Sequence, residues 1–387
     1  MPEPNVVINQ HGAGRLLSGH LWVYRSDIRS SSAQGGEAVR VLDERGRFFG
    51  RAFFSDRSEI CLRLVTRDDV PVDHAYLAER IARAARLRRP MVEGVTAYRL
   101  FYAESDQIPS LIIDRYGDFL VIQTLSQATD QRKQEIVDIL VEQFAPLGIL
   151  ERNDPKVRQL EGLEQKVSLL HGEVPTEVIA CENSLHLAYD LYHGQKTGGF
   201  LDQRQNRHAA ARYAHGEVLD CFAGTGSFAL TISPHAEHVE AVDLSASALS
   251  GAQRNIEINN ATNVSLKEAN TFDLLRQYDE AGRRFDAIVL DPPAFAKNKR
   301  NIAAACRGYK EINLRSLRLL RPEGFLITSS CSHHISEALF AQIIAEAALD
   351  AHRHVSVVER RTQASDHPVL LTMPETYYLK CFIINVI

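Results

Sequence analysis

EVLDCFAGTGSFALTIS, residues 217–233, decides the fold. EVLDCF is an apolar strand, Gly224 and Gly226 make the turn, and GSFALTIS opens a helix. The same alternation continues downstream. HVEAVD (238–243) reads as a strand and SASALSGAQRNIEIN (245–259) as a helix. VSLKEA (264–269) and FDAIVLD (285–291) are strands, and CRGYKEINLRSLRLL (306–320) is a helix. GFLITSS (324–330) is a strand, SEALFAQIIAEAAL (336–349) a helix, and two late strands follow at HVSVVERR and YYLKCFIINVI. Strands that alternate with helices imply a mainly parallel sheet covered on both faces.

Upstream the pattern differs. EAVRVLDERGRFFGRAFFS (37–55) breaks as a hairpin at Glu44-Arg45-Gly46, and EICLRLVT (59–66) alternates apolar and polar residues, so the first 70 residues or so read as a small β-rich module. DHAYLAERIARAARLRRP (73–90) is helical by the spacing of Leu77, Ile81, Ala84 and Leu87 and stops at Pro90. Its Arg80, Arg83, Arg86, Arg88 and Arg89 are either a solvated face or a phosphate-contacting stripe. Between about 96 and 180, strands, a Tyr-Gly-Asp turn and a helix over RKQEIVDILVEQF form a small α+β unit.

Composition narrows the function classes. At 387 residues the chain exceeds one ordinary core. Its 45% apolar and 24% charged content is that of a soluble globular protein. Neither a secretory leader nor a membrane-spanning run is legible, so a cytoplasmic protein with no membrane partner is expected. A net charge of -5 argues against nonspecific coating of nucleic acid but leaves room for a local basic face. Six cysteines without a CxxC pair suggest free thiols and no metal site.

In such sheets ligands bind beyond the carboxyl ends of the strands. Asp220, Asp243 and Asp291 stand at three strand ends and Cys331 just past a fourth, so four usable side chains are expected on one rim. Gly224 and Gly226 let backbone approach a ligand, and Asp243 suits a ribose, but NAD sites share both features. DPPAF (291–295) discriminates: two prolines after a strand-end carboxylate form a rigid loop suited to a planar base, which hydride transfer does not need.

The order LDCFAGTGSF, AVD, EANTFD, DPPAF resembles class I S-adenosylmethionine-dependent methyltransferases. With TGGFLDQRQNR, DPPAFAKNK, CRGYKEIN and SSCS added, the chain is similar to the bacterial PUA-domain-containing 23S ribosomal RNA cytosine-5 methyltransferases, the RlmI-like group. GAGRLLSGHLWVYRSDI resembles that group's PUA opening, and YAESDQIPSLIIDRYGD its central EEHEE domain. The resemblance implies an α/β fold: a PUA module (1–70), a linker helix with a central α+β domain (71–185), and a Rossmann-like methyltransferase domain with a mainly parallel seven-stranded sheet (186–387). It implies S-adenosyl-L-methionine as cofactor, cradled by Gly224, Gly226, Asp243 and Asn270, with Phe200, Asp202, Arg204 and Arg207 closing over it. Asp220, Phe222, Leu244, Thr271 and Asp291 belong to the same expected cofactor site. Many relatives carry an aspartate where this chain has Asn270, and Arg204 and Arg207 read equally well as partners of Asp202 or of surface acids. The implied partner is 23S ribosomal RNA or a ribosomal particle; a homodimer is left open.

Within that resemblance ITSSCSHHIS (327–336) gains a role. Carbon 5 of cytosine is a poor nucleophile, and a thiolate adding at carbon 6 would turn it into an enamine. Cys331 is the expected nucleophile and Asp291 its catalytic partner on the base. Related NOL1/NOP2/Sun enzymes place a second cysteine after the DPP-like proline; this chain has Pro293 and Ala294 there. The carbon-5 base is open between Asp291, a water, His333 and His334. Cys221 and Cys306 read as packing residues, and Lys299, Arg307, Tyr309 and Lys310 as lining of the RNA entrance or a solvated helix face. Two rivals remain: a nitrogen-directed RNA methyltransferase with a structural Cys331, and a noncatalytic RNA-binding ribosome-assembly factor. An NAD-dependent enzyme stands behind both.

Overall fold

The computed structural model describes residues 4–296 and 299–387. The chain divides into two compact units. The first comprises Met1–Asn183, Tyr189–Leu201 and Ser365–Thr376, and the second Ser184–Ala188, Asp202–Ala364 and Tyr377–Ile387.

Two of the sheets lie wholly in the first unit. A six-stranded one has the order Trp22–Tyr24, Ile60–Thr66, Phe48–Phe54, Ala38–Asp43, Asn5–Ile8, Ile28–Ser31. Its hairpin turns at residues 44–47, with Leu42 opposite Phe48. A helix, Gln10–Leu17, was not legible among the expected strands; Asn9 caps it by accepting from the Gly12 amide, and Leu16 enters the core with Val6, Ile8 and Val39. The five-stranded sheet runs Lys166–Gly172, Gly148–Asn153, Phe119–Thr124, Leu111–Tyr116, Ala97–Tyr102. Helices His74–Arg88 and Lys133–Phe144 pack on it through Leu77, Ile81, Ile136 and Leu140.

The arginine stripe is not one surface. Arg88 lies 1% exposed, forked onto Asp106 at 2.7 and 2.9 Å and donating to the Asp366 and Arg99 carbonyls. Arg80 bonds Gln107, while Arg83, Arg86 and Arg89 lie on the exposed face, Arg86 paired there with Glu79. Trp22 is also tied inward, its indole donating to Glu104 at 3.1 Å. A second buried pair, Arg99 and Asp114, is joined by two 2.8 Å bonds, and the Thr197 hydroxyl donates to the same carboxylate at 2.6 Å.

The second unit is built on a seven-stranded sheet: β1 Glu217–Cys221, β2 His238–Asp243, β3 Val264–Glu268, β4 Phe285–Leu290, β5 Leu320–Ser330, β6 Val355–Arg361 and β7 Lys380–Val386. Its order is β3-β2-β1-β4-β5-β7-β6, with only β7 antiparallel to its neighbours. Among the described residues six helices flank it: α1 Arg204–Ala211, α2 Ser227–Ile232, α3 Ala246–Ile258, α4 Thr271–Glu280, α5 Ile302–Leu319 and α6 Glu337–Asp350. The central strands are apolar on both faces because both are covered. Leu219, Cys221, Ile288 and Leu290 face Leu274, Ile312 and Phe340 of α4, α5 and α6. Val218, Ala241, Val289 and Ile327 on the other face meet Ala209, Ala210, Phe228 and Ile232 of α1 and α2. The strand-helix alternation predicts the mainly parallel sheet covered on both faces, and the resemblance to class I methyltransferases predicts its seven strands. Among the described residues no helix is long and apolar enough to cross a membrane.

Candidate active site

The rim is assembled from the carboxyl ends of β2, β1, β4 and β5. At the end of β1, Phe222 takes a left-handed conformation (φ +64°), unusual for a bulky residue. Gly224 (φ +56°) follows, and a Cβ added to it would meet nothing within 4 Å. Gly226 (φ +79°) caps α2, and its missing side chain lets Ala252 of α3 pack against the turn. An open backbone turn therefore lies beside the acidic strand ends.

Asp243 closes β2 and organises that turn. One carboxylate oxygen accepts from the Gly224 amide and the other from the Ser245 amide, both at 2.9 Å. Each oxygen keeps a further lone pair for a ligand hydroxyl. Leu244 beside it is 66% exposed. Asn270 caps α4 by accepting from the Phe272 amide at 2.9 Å, so its side-chain oxygen has one lone pair already engaged. Thr271 behind it is buried.

Asp220 sits deeper, fully buried. One oxygen accepts from the Ala229 amide at 3.0 Å, while its second oxygen has no hydrogen-bond partner among the described residues. Burial, reinforced by the Asp291 charge, pushes its carboxyl well above the usual range.

The segment leading into α1 reaches the same rim. Asp202 accepts from the Tyr378 hydroxyl at 2.7 Å, and Arg204 and Arg207 are buried with it. Gln203 was not singled out in the sequence. Its amide donates to the Asp291 carboxylate at 2.7 Å and its oxygen accepts from Asn206 at 2.7 Å. The one sequence signal for it is its place inside TGGFLDQRQNR. Phe200 falls in the first unit, where it is exposed and the Lys196 ammonium lies 4.6 Å from its ring.

Cys331 follows β5 next to the loop after β4. Its thiol approaches the Pro292 carbonyl at 3.8 Å, and the two loops are latched by the Ser332 hydroxyl, which accepts from the Ala296 amide at 3.2 Å. Tyr309 of α5 bonds both Ser330 and Ser332 at 3.0 Å. Cys61, Cys221 and Cys381 are buried, whereas Cys331 is half-buried. Burial holds the Cys381 thiol up at about 12 and the Cys221 thiol well above its ordinary value, which makes both inert. His333 of the same turn is exposed and His334 half-buried.

Two expected lining residues are placed elsewhere. Tyr309 is fully buried in the core, and Lys310 is paired with Asp350 at 2.9 Å and Glu346 at 3.6 Å. An i, i+1 pair on a helix cannot face one way, and here neither faces solvent freely. Arg307 is exposed, and the Lys299 side chain lies outside the described residues.

Residues 6–67 match the PUA-like domain model, and 206–347 match a model described as conserved hypothetical protein 95. The ribosomal RNA large subunit methyltransferase I of Shewanella amazonensis is 44% identical over 95% of this chain and 95% of its own. That of Tolumonas auensis is 41% identical over 96% of each. The chain belongs to the ribosomal RNA large subunit methyltransferase I family. Among solved structures, a putative methyltransferase complexed with SAH superimposes with a TM-score of 0.86 at 23% identity, covering 99% of this chain and 100% of that one. A putative SAM-dependent methyltransferase from Streptococcus mutans gives 0.84 at 23% identity over the same shares. At that identity the likeness concerns the fold. The family membership rests on the relatives above 40%, which span both units of this chain.

Proposed function

We propose that this member of the ribosomal RNA large subunit methyltransferase I family methylates carbon 5 of a cytosine in 23S ribosomal RNA, through a covalent Cys331 adduct. It works in the cytoplasm with S-adenosyl-L-methionine. The observation that carries the reading is the pairing of a half-buried thiol, Cys331, with the DPPAF loop, 3.8 Å from the Pro292 carbonyl, at the ends of adjacent parallel strands.

The residues present fit the cofactor. The Gly224–Gly226 turn leaves open space, the Asp243 carboxylate offers acceptors for ribose hydroxyls, and Asp220 supplies a buried oxygen with no partner among the described residues. When bound, S-adenosyl-L-methionine supplies an electrophilic methyl group. Asp202, Arg204, Arg207, Phe222, Leu244, Asn270 and Thr271 complete its surroundings in this reading.

On the base, the Cys331 thiolate adds to carbon 6 and raises the electron density at carbon 5, which accepts the methyl group. Loss of the carbon-5 proton to a base and departure of the thiolate restore the ring. Asp291, oriented by Gln203, holds the exocyclic amine or ring nitrogen. A cytosine inside a helix cannot reach this rim, so the target is unpaired or flipped out. Residues 1–70 dock the RNA, 71–185 form the central domain, and 186–387 carry the chemistry.

The test is methyl transfer from labelled S-adenosyl-L-methionine to undermethylated ribosomal RNA and subunits, with nucleoside mass spectrometry. Label in 5-methylcytosine that disappears in Cys331→Ala, with cofactor binding intact by calorimetry, supports the reading. Label in another nucleoside, or activity that survives the substitution, overturns it.

A further inference from the structure

Lys380 is the one charged residue of β7, a strand whose other described members are apolar except for Asn385 near its end. It is 2% exposed, and a lysine is almost never buried to that degree without a reason. Across the antiparallel β5–β7 ladder it stands opposite Ser330, the residue before Cys331. From there its ammonium reaches under the turn, donating to the Ser332 carbonyl at 2.8 Å and to the Tyr378 carbonyl at 2.9 Å. The charge thus sits beneath the residue that follows the thiol. The same Ser332 holds the DPPAF loop and Tyr309 through its hydroxyl.

We propose that Lys380 is a positioning residue for the reaction: its ammonium pins the Cys331–Ser332 turn against the DPPAF loop and stabilises Cys331 as a thiolate. This inference rests on the covalent reading of Cys331. Ionisation releases the thiol proton to solvent, while the ammonium keeps all three of its own protons. Two of those are directed at carbonyl oxygens, so the cation is held in place by the backbone of the turn it serves.

The electrostatics agree with the geometry. Burial lowers Lys380 to about 8, with Cys331 and then Glu337 acting in the opposite direction. At neutral pH the group therefore remains mostly charged. Glu337 of α6 is itself engaged by the Tyr377 hydroxyl at 2.6 Å and lies 3.8 Å from Arg360. From α5, Tyr309 presents a hydroxyl whose ionisation is opposed by burial and by the Cys331 charge. Asp291, next to Pro292, adds negative charge at the same rim, and His333 and His334 share the turn. Among these neighbours Lys380 is the buried group that carries positive charge at neutral pH, and an opposite charge in close range lowers a thiol's pKa.

The experiment measures the rate at which iodoacetamide alkylates Cys331 in the full chain between pH 5.5 and 10, read at the Cys331 peptide by mass spectrometry, where the pH span is roughly the ordinary thiol range on either side. Wild type is expected to titrate below the ordinary thiol range. Lys380→Met moves the midpoint up by about one unit or more, with roughly tenfold slower alkylation at pH 7, and Lys380→Arg restores most of the shift. Cys221 and Cys381 report folding, since they are alkylated only if the core opens. An unchanged midpoint in Lys380→Met, with those two protected, overturns the proposal. If that variant opens the core, the wild-type profile alone decides: a midpoint at or above the ordinary range overturns it. Methyl transfer that persists in Cys331→Ala would remove the covalent reading separately, because the alkylation profile reads the lysine–thiol coupling without any turnover.

Discussion

Gln203 donates its side-chain amide to the Asp291 carboxylate across 2.7 Å, joining the segment before α1 to the loop after β4. A neutral amide at that place orients the carboxylate without cancelling its charge. A hydrogen bond to a charged group contributes roughly 1.5–3 kcal/mol. Gln203→Leu should therefore lower kcat/KM by about ten- to a hundredfold while circular dichroism stays unchanged. Gln203→Glu should lose more, because it sets a second carboxylate against Asp291.

Asp243 holds the glycine turn open by accepting from the Gly224 and Ser245 amides. Asp243→Ala removes both acceptors together with the proposed ribose contact. Titration calorimetry with S-adenosyl-L-methionine should show affinity at least about tenfold weaker, as expected for one charge-assisted bond of about 1.5 kcal/mol or more. Unchanged affinity would place the cofactor elsewhere.

The Arg99–Asp114 pair in the first unit is buried and doubly bonded, with Thr197 as a third member. Removing one partner strands a charge, which costs about 3–5 kcal/mol. Asp114→Ala should lower the urea midpoint of the full chain strongly, whereas Thr197→Val should cost less, roughly 1.5–3 kcal/mol, the worth of one hydrogen bond to a charged group.

Glu240 on β2 gives the second unit an acid-sensitive contact. Burial disfavours its charge, yet bonds from Tyr278 and Arg283 outweigh burial and hold the carboxyl below the ordinary value of 4.5. The unfolded chain then binds the proton more readily, so this contribution is present above pH 4.5 and is lost as pH falls through the lower folded value. Glu240→Gln should flatten the acid limb of a thermal-melt series taken below that point; an unchanged limb would show that other carboxylates dominate it.

Much of the second unit was legible because its periodicity is simple. Strands covered on both faces become unbroken apolar runs, and β1, β2, β4 and β5 are each followed by a helix with an apolar stripe. The helix Gln10–Leu17 was not legible: eight residues with two glycines carry little intrinsic signal, and its stability comes from the Asn9 cap and the burial of Leu16. The arginine helix was legible only in part, for a related reason. Spacing says which residues share a face, but not that Asp106 and the Asp366 carbonyl wait beneath Arg88 to receive it.

The sequence by itself determined the strand-helix alternation, the acids at the strand ends, the glycine turn and the place of Cys331 after its strand, because each of these is a local pattern. Only the tertiary structure decided that Gln203 meets Asp291 from 88 residues away and that Lys380 comes to lie under Ser332 from 48 residues away. No local preference records such partners. They meet because burying the two faces of the sheet sets the strand order, and that order brings distant strand ends to one rim.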